Sequence, residues 1–129
     1  MNFRLDHVHI VSENVDEMSS FFQDLFLAKV LSYDENLKGA PNTVVEFGGL
    51  RVFIRGVRPG EDPDAFSPEL VQGLDHFGLE VENVEESANI LRARGAKFIV
   101  EPEASGVGGR MIAFICGPEN VRIELCQKN

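Results

Sequence analysis

Residues 4–11 alternate in polarity, with Leu5, His7 and His9 on one face and Asp6, Val8 and Ile10 on the other, the period-two pattern of a strand. The period then changes. Val15, Met18, Phe22 and Leu25 follow at helical spacing as one apolar stripe. Asn14 stands before them as an N-cap, with Glu17 three residues on in a capping-box arrangement. A short strand at about 29–34 and a loop rich in Gly, Pro and Asn come next. Val44–Phe47 and Leu50–Arg55 then form a hairpin about a two-residue Gly48-Gly49 turn.

The same order returns further along. Leu5-Asp6-His7 matches Leu74-Asp75-His76 at an offset of 69, and seven of the thirteen positions in 5–17 are identical to those in 74–86. Gly49-Leu50-Arg51-Val52-Phe53 resembles Asn120-Val121-Arg122-Ile123-Glu124 at an offset of 71. The second copy predicts a helix capped by Asn83 with Val84, Ala88 and Leu91 on its apolar side, ended by Gly95. A strand at about 97–101 follows, then a closing pair, Met111–Cys116 and Val121–Gln127, around Gly117-Pro118-Glu119-Asn120. The expected class is α+β: one domain, 1–129, made of βαβββ modules at 1–56 and 73–129 joined by a proline-containing connector, 57–72. A module with one helix does not cover its own sheet. The eight strands are therefore expected to curve around a shared concavity, with the helices outside.

Composition narrows the partners. Twelve Lys and Arg stand against 21 Asp and Glu, a net charge of −9. That charge repels phosphate backbones and anionic lipid surfaces, so neither nucleic acid nor membrane is expected as a partner. No apolar run reaches the ~18 residues of a bilayer span. The N-terminus has no apolar signal stretch, and the two cysteines, Cys116 and Cys126, have no Cys-x-x-Cys spacing. A reducing, cytoplasmic setting is the expectation.

Three histidines occur, and His7 and His76 occupy matched places in the repeat. With Glu124 in the last strand they make two imidazoles and a carboxylate on different strands, a donor set suited to a divalent metal. The plainer reading is that each is a hydrogen-bonded strand histidine. Duplication of a rare residue at matched positions weighs toward the metal. His9 shares the face of His7 and is a candidate proton shuttle or a polar wall residue. Glu46 is expected opposite Arg51, on the same face as Phe53, as a base or as half of a cross-strand salt bridge. Asp6 and Asp75 are expected on the opposite faces of their strands, in structural roles. The helical phenylalanines Phe21, Phe22 and Phe26 read as core or dimer contact. Gly106-Val107-Gly108-Gly109 reads as a flap, because it lacks the strand-then-helix setting of a phosphate loop.

Leu5-Asp6-His7-Val8, Leu74-Asp75-His76-Phe77 and the stretch Gly117–Leu125 resemble the vicinal oxygen chelate superfamily of glyoxalase I, methylmalonyl-CoA epimerase, extradiol dioxygenases and bleomycin-type resistance proteins. The resemblance covers essentially the whole chain. It implies a paired βαβββ cup, usually a homodimer, binding one divalent ion (Ni, Co, Zn, Mn or Fe(II)) through His7, His76 and Glu124. It also implies a small-molecule substrate with vicinal oxygens. Glyoxalase and epimerase members carry a fourth ligand in the last strand of the first module, where this chain has Phe53, and Glu46 on the same face is the candidate displaced fourth ligand. The leading expectation is a metal-dependent lyase or isomerase working through an enediolate-type intermediate, with Glu46 or His9 moving the proton. An Fe(II) extradiol-type dioxygenase, which fits Phe53 better, and a ligand-sequestering resistance protein are the alternatives.

Overall fold

A computed structural model describes all 129 residues, which divide into two compact units, Met1–Asp64 and Ala65–Asn129. In the first unit the order is β1 (Val8–Val11), α1 (Val15–Phe26), β2 (Lys29–Leu37), β3 (Ala40–Phe47) and β4 (Leu50–Arg55). In the second it is β5 (Phe77–Val81), α2 (Val84–Ala93), β6 (Lys97–Glu103), β7 (Ile112–Cys116) and β8 (Arg122–Gln127). Each unit is thus a βαβββ module with a mixed four-stranded sheet, ordered β1-β4-β3-β2 in one and β5-β8-β7-β6 in the other. The first strand of each module runs parallel to its last, and the other pairings are antiparallel.

The helices start where the sequence indicates. Asn14 Oδ1 accepts the backbone N–H of Glu17, and Asn83 Oδ1 accepts that of Glu86, each at 3.0 Å. The reciprocal half of a capping box is replaced in the first module: the Asn14 N–H donates to Ser12 Oγ. Val15, Met18, Phe22 and Leu25 bury the inner face of α1, and Val45, Val52 and Ile54 supply the buried sheet face of this module. Phe22 has no exposed surface, and Phe26 stacks on Phe47 at 5.0 Å. Phe22 is core, and Phe21 and Phe26 are half-buried beside it. Full burial of a side chain of that size stabilises by about 1.5–3 kcal/mol. In the second module Val84, Ala88 and Leu91 have the matching role, with Ile115, Ile123 and Leu125 buried in the sheet.

Two boundaries differ from expectation. The ladders begin at Val8 and Phe77, so residues 4–7 are extended chain outside the sheet. β2 runs on to Leu37 and turns through Lys38-Gly39, both at positive φ, directly into β3. The turn between β7 and β8 falls where the sequence places it, with Glu119 and Asn120 at φ values of 55° and 63° in the role of Gly48-Gly49 between β3 and β4.

Candidate functional site

The parallel pairing within each module sets which side chains share a face. In the second, Gly78 lies opposite Glu124, and Phe114 faces Glu124 from the other side. A Cβ on Gly78 would sit 3.6 Å from Glu124 Oε2, an ordinary contact, and 3.3 Å from Cys126 Sγ, a tight one, so glycine here chiefly spares the cysteine. Just before β5, His76 lies edge-on to Phe114 at 4.7 Å and places Nε2 3.0 Å from Glu124 Oε2. Its other nitrogen, Nδ1, is 2.7 Å from Asp75 Oδ2.

Asp75 is therefore not turned away from the site, as strand alternation predicts. It lies outside the ladder, where the alternation rule has no force, and it orients the histidine. The hydrogen bond to His76, and then the one from Arg122 NH2 to Oδ1 at 3.0 Å, hold the Asp75 carboxyl below the usual carboxylate range. An ionised carboxylate only accepts, so the proton of that bond resides on His76 Nδ1. Nε2 then faces a second carboxylate at hydrogen-bond distance. Two such donor atoms call for a positive centre, either a proton on Nε2 or a metal ion. The pair fits a divalent ion in chemistry and in its supporting shell, since metal-bound histidines commonly give their second N–H to a carboxylate.

The first module repeats the arrangement with one replacement. His7 Nδ1 is 2.7 Å from Asp6 Oδ2, so Asp6 too turns to its histidine. Phe53 stands where Glu124 stands in the second module, and its ring stacks on His7 at 3.8 Å and 4°. His9, opposite Phe53 in the ladder, meets that ring at 6.0 Å and His7 at 5.9 Å. Burial above all, then the charges of His7, Arg55 and Arg58, lower the pKa of His9. Glu46 lies opposite Arg51 as expected and is tied to it, Oε2 to Nε, at 3.2 Å. His7, His9 and Phe53 come together in the first module, as do His76 and Glu124 in the second. Neither unit by itself brings together three or more His, Cys, Asp or Glu side chains in a group that could hold a metal ion.

Cys126 shares the Glu124 face, and burial, with the neighbouring Glu124 carboxylate, raises its thiol pKa. Sequence reasoning missed Asp6, Asp75 and Arg122 as supports. The signal present was the doubled Asp-His dipeptide, matched in both copies together with its histidine.

Each βαβββ module thus carries, immediately before its first strand, a histidine held by the preceding aspartate. The chain belongs to the Glyoxalase/Bleomycin resistance protein/Dioxygenase superfamily, whose pattern it matches over residues 4–125. It is 34% identical over 59 residues, 46% of this chain and 45% of the other, to "Probable lactoylglutathione lyase" of Synechocystis sp.. The curated relatives it matches are covered over only 16–45% of their own length. In fold it is similar to the glyoxalase family protein from Enterococcus faecalis, with a TM-score of 0.77 at 21% identity over 96% of this chain and 97% of that one. It is also similar to a point mutant of the genomically encoded fosfomycin resistance protein FosX from Listeria monocytogenes, with a TM-score of 0.72 at 19% identity over 100% and 93% of the chains. That structure holds Mn(II) and 1S,2S-dihydroxypropylphosphonic acid.

Proposed function

We propose that this chain is a metal-dependent enzyme of the glyoxalase type, a lyase or isomerase acting on a small molecule with vicinal oxygens. The observation that carries the reading is His76, held at Nδ1 by Asp75 and directed through Nε2 at Glu124. His76 and Glu124 would hold the ion, and His7 is the third ligand that the family pattern supplies. When bound, a divalent ion supplies Lewis-acid polarisation of the substrate oxygens.

The protein's own residues do the rest. Asp75 fixes the His76 ring so that Nε2 presents its lone pair. His9, opposite Phe53 and beside His7, is the proton acceptor at its ring nitrogen. Glu46 is paired with Arg51, which favours His9 over Glu46 for that role. A second reading, an Fe(II) dioxygenase with a two-histidine, one-carboxylate set, is favoured by Phe53, which stacks on His7 in place of a fourth ligand.

Elemental analysis of untagged protein, prepared both aerobically and anaerobically, separates these readings. About one Ni, Co, Zn or Mn per chain supports the lyase or isomerase. Iron retained only without oxygen, with oxygen uptake on catechol-type substrates, supports the dioxygenase. Failure to hold any of these ions after soaking overturns both and leaves a ligand-sequestering cup. His76→Ala and Glu124→Ala are each expected to abolish metal retention, whereas His9→Ala keeps the metal and loses turnover. Equal metal loss in His9→Ala would mean that the wrong histidine has been assigned.

A further inference from the structure

The two His–Asp pairs come from matched segments, yet their Asp residues are held differently. In the second module Arg122 reaches Asp75 Oδ1 at 3.0 Å through NH2, donates through NH1 to the Ser67 carbonyl at 3.0 Å, and lies over the Phe66 ring at 4.8 Å. Its side chain is only 12% exposed. In the first module the matched arginine is Arg51, half exposed, which pairs with Glu46 instead, while the Asp6 carboxylate is 74% exposed. The neighbouring strand accounts for the difference. Glu46 lies opposite Arg51, whereas Cys116 lies opposite Arg122. A thiol offers a guanidinium no anionic partner, so Arg122 is free to grip Asp75.

We propose that Arg122 is a positioning residue that clamps the Asp75 carboxylate onto His76 Nδ1, leaving His76, unlike His7, with a fixed Nε2 lone pair. The proposal rests on His76 being a metal ligand, and it has consequences with and without metal. A clamped, ionised Asp75 holds the imidazole proton on Nδ1. An Asp75 freed from Arg122 lets the ring rotate or take the other tautomer, as a histidine does when its orienting carboxylate is lost.

The test is long-range ¹H–¹⁵N correlation of the histidine rings in metal-free protein, read at mildly alkaline pH, followed by Zn²⁺ competition titration. Wild type is expected to keep Nδ1 of His76 protonated, and Arg122→Gln to lose that state. Arg122→Lys restores it in part, because a lysine supplies the charge without the two-pronged fork. Zn²⁺ binding weakens by about 10–100-fold in Arg122→Gln, the usual effect of losing a support behind a ligand. Arg122 also ties Phe66 and Ser67, so Asp75→Asn serves as a second variant that leaves those ties intact. It too is expected to strip the proton from Nδ1, because Arg122 holds the amide oxygen in the Oδ1 place and so leaves the amide N–H facing the histidine. Arg51→Gln, which removes the same charge from the first module, should change neither His7 nor His76. An unchanged His76 ring in folded Arg122→Gln and Asp75→Asn overturns the proposal, as does an equal change in Arg51→Gln. Should wild type bind no Zn²⁺ while its ring follows this pattern, the metal reading fails and the clamp stands.

Discussion

Phe53 and Glu124 occupy one place in the repeat, and each is the close neighbour of its module's matched histidine: a ring stacked at 3.8 Å in one, a carboxylate at 3.0 Å in the other. Their own neighbours follow suit. Opposite Phe53 the first strand of its module carries His9, and opposite Glu124 the matching strand carries Gly78. Replacing Phe53 by Glu should therefore give the first module what the second has, a carboxylate directed at a histidine already oriented by aspartate. We expect Phe53→Glu to bind Zn²⁺ at least about tenfold more tightly than wild type, since an added anionic ligand supplies charge and a donor atom. Competition against a chromophoric chelator measures this. Unchanged affinity would place His7 outside the metal's coordination sphere, whatever His76 does. The two Asp-His pairs also show where residue-level reading from sequence stops. Alternation assigns Asp6 and Asp75 to the far face, but the ladders start only at Val8 and Phe77, so the backbone before them is free to turn each carboxylate beside its histidine.

At the scale of elements, capping and apolar stripes made the helices legible, and Gly48-Gly49 announced its hairpin. The boundaries that escaped are those made by residues with side chains at positive φ. Lys38 and Leu27 both adopt it, at a cost glycine escapes, so composition does not advertise them. Leu27 is instructive. It ends α1 at φ 56°, its N–H and that of Ala28 both return to the Phe22 carbonyl, and its side chain is 68% exposed. Little packing is lost on removing that side chain, whereas the left-handed strain is relieved. Leu27→Gly is thus expected to stabilise the protein by about 0.5–1 kcal/mol. Asn14→Ala and Asn83→Ala should each cost about 1 kcal/mol by leaving a first-turn N–H without its cap. Urea unfolding, compared at constant m-value, reads all three. Destabilisation by Leu27→Gly would show that the exposed leucine contributes more than its backbone costs.

For the whole molecule, the net charge of −9 sets two effects of acid against each other. Protonating carboxylates relieves self-repulsion, which favours the compact state. It also removes those carboxylates that the folded chain holds in ionised form. Glu61 is one: hydrogen bonds from the Arg55 side chain first, then from the Arg58 backbone, pull its pKa below the usual carboxylate range. Both Arg55 terminal nitrogens reach it, at 2.6 and 3.2 Å, and so fasten the chain after β4 back onto that strand. Asp75 is shifted in the same direction by His76 and Arg122. For such groups the folded state binds fewer protons than the unfolded one within the carboxylate range, so their contribution rises with pH. It is complete above the unfolded carboxylate value and disappears as pH falls through the lower folded value. Self-repulsion is nearly common to wild type and a single-charge variant, so their difference isolates the pairing. Glu61→Gln should be less stable than wild type at neutral pH, with the gap closing steadily as the solution is acidified through the carboxylate range. Chemical denaturation at a series of pH values measures that gap. One that stayed constant into acid would assign the fastening of this segment to hydrogen bonding alone, with no part for the charge of Glu61.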